Sequence, residues 1–321
     1  MPKIGPFVDR FGRPVTHLRL SVTNRCNHDC IFCHREGILK APEYEMSPDE
    51  IGFLTEVLSS VGVKYVKLTG GEPLVRGDIV EIVRKISPHA EVSMVTNGSL
   101  LKYFASGLAD AGLARLNISL HSLNPGVFKE ITRGRLEQVL EGVRAAVDAG
   151  LPIKFDVVVL KHNSRELRDL VRFAISVGAD INLIELIPIG MGFVEWKRLH
   201  ADIAPIEEWL SKRAVRVERL PFQNRVVYRM PEGISVYVIK GYGNPDLCAA
   251  CTRIRMTPDG KFKTCIYRQD YIDALPAIKA RDRDALIAVF RKAVDAREPF
   301  FKKVPVKESG VGSGAENAAD G

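Results

Sequence analysis

No stretch of this chain approaches the roughly 18 consecutive apolar residues of a membrane helix, and Met1 to Arg10 lacks the apolar middle of a signal peptide. Neither a membrane span nor a secretory leader is expected, and the expected location is the cytoplasm. There thiols stay reduced, and clustered cysteines signal metal more often than disulfide. No dense Lys/Arg run with interleaved aromatics occurs, nor any zinc-finger or RNA-recognition signature. The net charge of +7 permits an anionic partner, but a solvated basic surface accounts for most of the lysines. Glutamine occurs only at Gln138, Gln223 and Gln269 while Arg, Lys and Glu abound, a bias seen in proteins from hot sources. Nor is any cysteine left over. All six fall into two groups of three, Cys26, Cys30 and Cys33, then Cys248, Cys251 and Cys265. A disulfide framework does not predict that spacing; two metal centres do.

A chain of 321 residues with 46% hydrophobic content can bury a sizeable core, as one large domain with an appendage or as two domains. After an arm bearing Gly5, Pro6, Gly12 and Pro14, strand and helix patterns alternate with short turns. Strands are expected at 17–23, 64–69, 91–96, 115–120, 153–160 and 181–187, with amphipathic helices at 48–61, 77–87, 100–111, 135–149 and 165–177. Ser47 reads as an N-cap with Pro48 at the first helical position, and Gly62, Gly112, Gly150 and Gly178 follow helix ends. This order predicts an α/β fold with a parallel sheet, either a partial, open barrel or a doubly wound sheet; six units are too few for a closed eight-fold barrel. In both, function gathers at the C-terminal ends of the strands. From about residue 201 the texture changes to a short helix (205–213) and antiparallel-looking segments at 215–220, 225–230 and 234–239. Then Asp259-Gly260 marks a hairpin, a helix follows at about 283–296, and the Gly/Ala/Ser-rich tail from Val306 is expected to be disordered. The division is 1–200, 201–305 and 306–321. No internal repeat appears beyond the alternation itself.

The stretch that organises the chain is Cys26-Asn-His-Asp-Cys30-Ile-Phe-Cys33, placed after the first strand. A structural zinc or an ordinary ferredoxin cluster wants four protein ligands. Three cysteines on an iron–sulfur cubane leave one iron open to a small molecule. The bland alternative is a zinc site completed by His28 or His34. Thr69-Gly-Gly-Glu-Pro73 ends the second strand; its glycines let a ligand approach the backbone, and Glu72 can hold an ammonium group. In the second trio, Cys248-Ala-Ala-Cys251 with Cys265 could be a zinc ribbon completed by Asp246. Between these thiols, however, Arg253 and Arg255 share one strand face, which suits a phosphate. Arg19 lies on the polar face of its strand with His17 and Ser21, so that if this face points inward the arginine needs an anionic partner.

The first cysteine loop, with Phe32 before its last cysteine, and the Gly-Gly-Glu-Pro turn resemble the radical S-adenosylmethionine (SAM) enzymes. The segment His17 to Cys26, that turn, Val95-Thr-Asn-Gly98, Leu116-Asn-Ile-Ser-Leu120 and Cys-x-x-Cys-Thr-Arg-Ile-Arg-Met-Thr-Pro-Asp-Gly-Lys resemble one family among them, the GTP 3′,8-cyclases of molybdenum cofactor biosynthesis. The resemblance runs from about Phe11 to Ile266. It implies a partial, open TIM-type (β/α)6 barrel with a mainly antiparallel C-terminal region carrying a second cluster. It further implies two 4Fe–4S clusters, SAM and GTP. In the family the 5′-deoxyadenosyl radical takes the C3′ hydrogen of GTP, and the sugar radical closes onto guanine C8. By position, Cys26, Cys30 and Cys33 would hold the SAM cluster and Cys248, Cys251 and Cys265 the substrate cluster. Phe32, Gly71, Ser119 and Ile187 match SAM-contacting positions; Arg19, Lys67, Thr96, Lys161, Arg253, Ile254 and Arg255 match GTP-contacting ones. Implied partners are an electron donor and a downstream enzyme making cyclic pyranopterin monophosphate, with no membrane and no nucleic acid, for a monomer or homodimer. The chain departs from the family at Asn182 and Lys67, where arginine also occurs, and at its Ala-Asp-Gly321 end, where two glycines are common. Rival expectations are a radical SAM peptide maturase with an auxiliary cluster and a zinc-stabilised nucleic-acid-binding module.

Overall fold

A computed structural model of the chain describes residues 5–302; the tail expected at 306–321 lies outside them. Six strands, β1 (His17–Ser21), β2 (Tyr65–Thr69), β3 (Glu91–Thr96), β4 (Arg115–Ser119), β5 (Ile153–Val159) and β6 (Asp180–Glu185), alternate with helices. The helices are α1 (Pro48–Ser60), α2 (Ile79–Ile86), α3 (Leu101–Asp110), α4 (Pro125–Thr132), α5 (Leu136–Asp148) and α6 (Leu167–Val177). Each strand and helix expected in this half is present to within a few residues. At the start of α1, Ser47 and Glu50 form a reciprocal capping box, and α6 stops at Gly178 with φ 72°. The unexpected helix is α4, which Asn124 caps and Pro125 opens, a start signal of the usual kind on an element of only eight residues.

Beyond β6 come the one-turn helices α7 (Met191–Val194) and α8 (Trp196–Leu199), then α9 (Ala204–Arg213), β7 (Arg216–Arg219), β8 (Val226–Arg229) and β9 (Ser235–Ile239). The chain continues through α10 (Pro245–Ala249), β10 (Arg253–Met256), β11 (Lys261–Lys263), β12 (Tyr271–Asp273), α11 (Leu275–Lys279) and α12 (Arg283–Asp295). All twelve strands join one sheet in the order β12-β11-β10-β1-β2-β3-β4-β5-β6-β9-β8-β7. β10 adds parallel to β1 and β9 adds parallel to β6, so the parallel core grows from six strands to eight, flanked by antiparallel strands at both edges. The sheet is not closed.

Alternation along each strand sends one face to the core and the other inward. On β1, Leu18 and Leu20 are fully buried in the same apolar core as Leu54 and Leu58 of α1, whereas His17 and Arg19 line a cavity of about 440 Å³. Every one of the eight parallel strands contributes to that cavity, among them Lys67, Ser93, Asn117, Asp156, Asn182, Tyr237 and Arg253. A flat doubly wound sheet cannot enclose one space with all its strands, so the architecture is the partial, open barrel. Its size is that of a small-molecule site. The C-terminal strands and α12 share the core, through Ile254, Phe262, Leu286 and Phe290.

Candidate active site

Three loops at the C-terminal ends of β1, β2 and β3 are hydrogen-bonded to one another, the first two through their backbones and the third through side chains. Gly71 donates to the Thr23 carbonyl (2.8 Å) and Glu72 to the Arg25 carbonyl (2.8 Å), clamping the Gly-Gly-Glu-Pro turn to the root of the first cysteine loop. Asn97 Nδ2 donates to Asn27 Oδ1 (2.8 Å) inside that loop, and Asn27 Nδ2 donates to Ser99 Oγ (2.9 Å). Asp29 and Ile31 donate to the carbonyls of Thr132 and Ile131 at the end of α4. The unforeseen helix therefore anchors the loop's far side. Glu72, read from the sequence as a partner for an ammonium, is buried, and its oxygens accept from Thr96 Oγ1, the Asn97 amide and the Leu74 amide. It braces the turns from within; burial pushes its carboxyl up to about 7.

Burial is the main cause that raises the pKa of all three thiols of the first loop; the charge of Cys33 adds to it at Cys26 and Cys30, and that of Cys26 at Cys30. His34 Nδ1 accepts the Glu36 amide (3.0 Å), and His28 lies against Phe128 and Gly134. Among the described residues, no three His, Cys, Asp or Glu side chains converge as the ligands of one ion would. The three thiols are near enough for Cys30 to feel the charges of Cys33 and Cys26, and as soft donors they would suit an iron–sulfur cluster. Phe32 meets the His121 ring edge-on at 4.8 Å, and Ile187 lines the cavity. Gly71 is pressed against Arg25 and Asn24, and Ser119 ends β4.

His121 itself is buried; its Nδ1 accepts the Val158 amide (3.2 Å), a bond open only to the neutral ring. Burial lowers its pKa from 6.5 to about 4. The folded state thus binds fewer protons than the unfolded one between these values, so stability is complete above about pH 6.5 and is lost as pH falls toward 4. Denaturant titrations should show His121→Gln losing about 2 kcal/mol less than the parent between pH 7 and pH 5. Equal losses would show that the ring charges without penalty.

The second trio is carried by α10 and the β10–β11 hairpin, and all three of its cysteines line the main cavity. Its supports were not legible as a motif. Buried Arg13 donates to the Cys248 carbonyl and buried Arg297 to the Cys251 carbonyl (2.6 Å), and both guanidinium groups share the buried carboxylate of Asp9. Burial alone would push the Cys251 thiol up, but Arg253, Arg297 and Arg13 together hold it below its ordinary value. The first trio does not line the cavity; its loop borders it through His34.

A row of cations in register crosses four neighbouring strands, its first three members on the cavity wall: Lys67 opposite Arg19, Arg19 opposite Arg255, and Arg255 opposite Lys263. Strand spacing sets such neighbours about 5 Å apart, where like charges repel. One buried carboxylate moderates them. Glu36 accepts both Arg19 Nε (3.0 Å) and Arg19 Nη2 (2.7 Å), takes Arg255 Nη1, and accepts Thr69 Oγ1 (2.9 Å). The anionic partner demanded by an inward Arg19 is thus supplied by the chain, although no motif pointed to Glu36. Lys263 Nζ is buried and finds no acceptor among the described residues. Burial lowers the Lys67 ammonium to about 7 against the pull of Asp156; Lys67 donates to Asn117 Oδ1 (2.8 Å).

Three residues matched to GTP-contacting positions, Lys161, Thr96 and Ile254, do not line the cavity. Lys161 is exposed and donates to the Lys197 carbonyl (2.8 Å). Thr96 is buried on Glu72. Lys154 does line the cavity, against the Tyr237 ring and 3.4 Å from Asp180. Ile254 faces the core, while Arg253 and Arg255 face inward.

A family model described as the radical SAM superfamily matches residues 20–174, and one described as molybdenum cofactor synthesis C matches 179–303. A probable GTP 3′,8-cyclase of Thermococcus kodakarensis is 46% identical, over 92% of this chain and 99% of that protein. Probable GTP 3′,8-cyclases of Saccharolobus solfataricus and Metallosphaera sedula are each 42% identical, over 92% of this chain and 99% and 96% of theirs. Among solved structures, Streptococcus suis SuiB bound to S-adenosylmethionine superposes with a TM-score of 0.65 at 14% identity, covering 86% of this chain and 68% of that one, a likeness of fold alone. No helix of the described residues is long and apolar enough to cross a membrane. With two cysteine trios, an open barrel and relatives matching over nearly their whole length, the chain belongs to the GTP 3′,8-cyclase family of the radical SAM superfamily.

Proposed function

We propose that this protein converts GTP to 3′,8-cyclo-7,8-dihydro-GTP, the first step of molybdenum cofactor biosynthesis, using SAM and two 4Fe–4S clusters. Enzymes of the superfamily use SAM and an iron–sulfur cluster. The observation that carries the substrate assignment is the group of cations on the cavity wall, Arg19, Lys67, Arg253 and Arg255, of which Glu36 pairs only with Arg19 and Arg255. A triphosphate supplies the missing negative charge. Cys26, Cys30 and Cys33 would hold the first cluster, and Phe32, Gly71, Ser119 and Ile187 would border SAM. Cys248, Cys251 and Cys265 open onto the same cavity as the cations, which supports a second cluster facing the guanine. Bound together, the first cluster and SAM supply a hydrogen-abstracting carbon radical once an electron donor delivers the electron.

The chain's own residues hold the nucleotide and exclude water. Arg19, Arg253 and Arg255 take the phosphates, and Lys154 stands for the substrate lysine in place of Lys161, because only Lys154 reaches the cavity. The eight strands wall the ribose from solvent, which keeps a reactive radical from side reactions. Anaerobic reconstitution should give about eight irons per chain, four for each three-cysteine site. With reductant and SAM, 5′-deoxyadenosine should appear together with a cyclised GTP product. Zinc in either site, or SAM cleavage that leaves GTP intact but modifies a peptide, would overturn this function.

A further inference from the structure

Seven arginines line the cavity: Arg13, Arg19, Arg115, Arg225, Arg253, Arg255 and Arg297. Five have a carboxylate partner: Arg13 and Arg297 on Asp9, Arg19 and Arg255 on Glu36, and Arg115 on Glu91. Among the described residues, Arg225 and Arg253 make no ion pair. Arg253 lies in the Thr-Arg-Ile-Arg segment matched from the sequence; Arg225 belongs to no motif.

The backbone delivers Arg225 to the cavity from the far edge of the sheet. Between β7 and β8 a tight turn at Phe222–Asn224 places Gln223 and Asn224 in the left-handed region, with φ 57° and 50°. Gln223 donates its amide to the Ala250 carbonyl (3.1 Å), between the two cysteines of the second trio's Cys-x-x-Cys. Phe222 stacks on His17 of β1 at 4.5 Å and lies under the guanidinium groups of both Arg225 (4.7 Å) and Arg253 (5.5 Å). The segment therefore spans the open side of the barrel and sets two unpaired forks against one ring. Arg225 Nη2 donates to Gln223 Oε1 (2.6 Å), which aims the group, but its buried Nε has no acceptor. Asp156 attracts it through space, yet Asp156 Oδ1 is already taken by the amides of Asn117 and Asn182. A buried donor left empty beside an uncompensated charge calls for an anion, and a planar fork suits phosphate oxygens.

We infer that Arg225 binds the polyphosphate of the substrate, acting together with Arg253 beside Phe222. This rests on the GTP assignment above. The test is equilibrium binding of GTP, GMP and SAM to the anaerobically reconstituted holoenzyme and to its Arg225→Gln and Arg225→Lys variants. Arg225→Gln should bind GTP roughly 10- to 100-fold more weakly, with GMP and SAM affinities unchanged. Arg225→Lys, which keeps the charge without the fork, should fall between. Unchanged GTP affinity in Arg225→Gln would overturn the inference alone. Equal weakening of GTP and GMP, or loss of SAM binding, would overturn it by assigning Arg225 to the guanine or to the fold. A parent that binds GTP no more tightly than GMP would refute the substrate assignment and this inference with it.

Discussion

Replacing Glu36 by alanine should destabilise the folded chain on the order of 3–5 kcal/mol and lower its melting temperature by roughly 10 °C. The carboxylate is buried with Arg19 on one side and Arg255 on the other, and Thr69 donates to it as well. Burial alone would favour its protonated form, but the two guanidinium groups outweigh burial and hold it well below the ordinary carboxylate range. Without it, two arginines face each other across adjacent strands with Lys67 and Lys263 on their flanks and no anion between them. Glu36→Gln should recover part of the loss, since an amide oxygen still accepts a hydrogen bond. Its stability should also fall less than the parent's as the solution is acidified below about pH 4.5, because the depressed carboxylate stabilises the fold only while ionised. The exposed pair Arg172–Asp169 provides the comparison; Asp169→Ala should change stability by less than about 0.5 kcal/mol. Thermal melts of the parent and the three variants, at neutral pH and below about pH 4.5, check the whole set. Should Glu36→Ala melt with the parent, the row of cations needs no internal counter-charge.

The parts of this molecule written in local patterns were legible before any coordinates. Alternation along β1 to β6, the Ser47-Pro48 helix start and the glycines after helix ends each act within a few residues, and each produced its element. The two cysteine trios were legible because thiol spacing is itself the chemical signal. What escaped depends on contacts between distant segments. Nothing local in 235–239 or 253–256 says that these strands pair parallel with β6 and β1 and so enlarge the barrel at both edges. Glu36 sits in a short left-handed turn, φ 52°, where its carboxylate looks like any solvated loop acid until the fold brings Arg255 against it. Lys154 is the exception, since a signal for it was present. On β5, Lys154 and Asp156 share a face while Phe155, Val157 and Val159 share the buried one. That alternation marks Lys154 as inward, whereas Lys161 lies beyond the end of the strand. Family position pointed to Lys161, which does not line the cavity.

Gly71→Ala should abolish SAM binding, with affinity falling by about two orders of magnitude or more, while leaving the second trio able to take up its iron. The reason is space. A Cβ at Gly71 would fall on the Arg25 carbonyl oxygen, 2.6 Å from that carbonyl carbon and 2.8 Å from the Asn24 carbonyl oxygen. All three obstacles are backbone, and they belong to the segment that leads into Cys26, so relief requires the cysteine loop to move. That loop cannot yield alone, because Glu72 is bonded to Arg25, Asn97 to Asn27, and α4 to Asp29 and Ile31. The same substitution at Gly107, inside α3, would place its Cβ no closer than 3.4 Å to a Val80 methyl, which is ordinary contact. Gly107→Ala should therefore raise stability by up to about 1 kcal/mol through helix propensity and leave SAM binding alone. Measuring SAM affinity and iron content for both variants separates a close approach required at the site from a general intolerance of added methyl groups. Undiminished SAM binding by Gly71→Ala would mean that the first cysteine loop is looser than its hydrogen bonds imply, and that the turn after β2 does not shape the site.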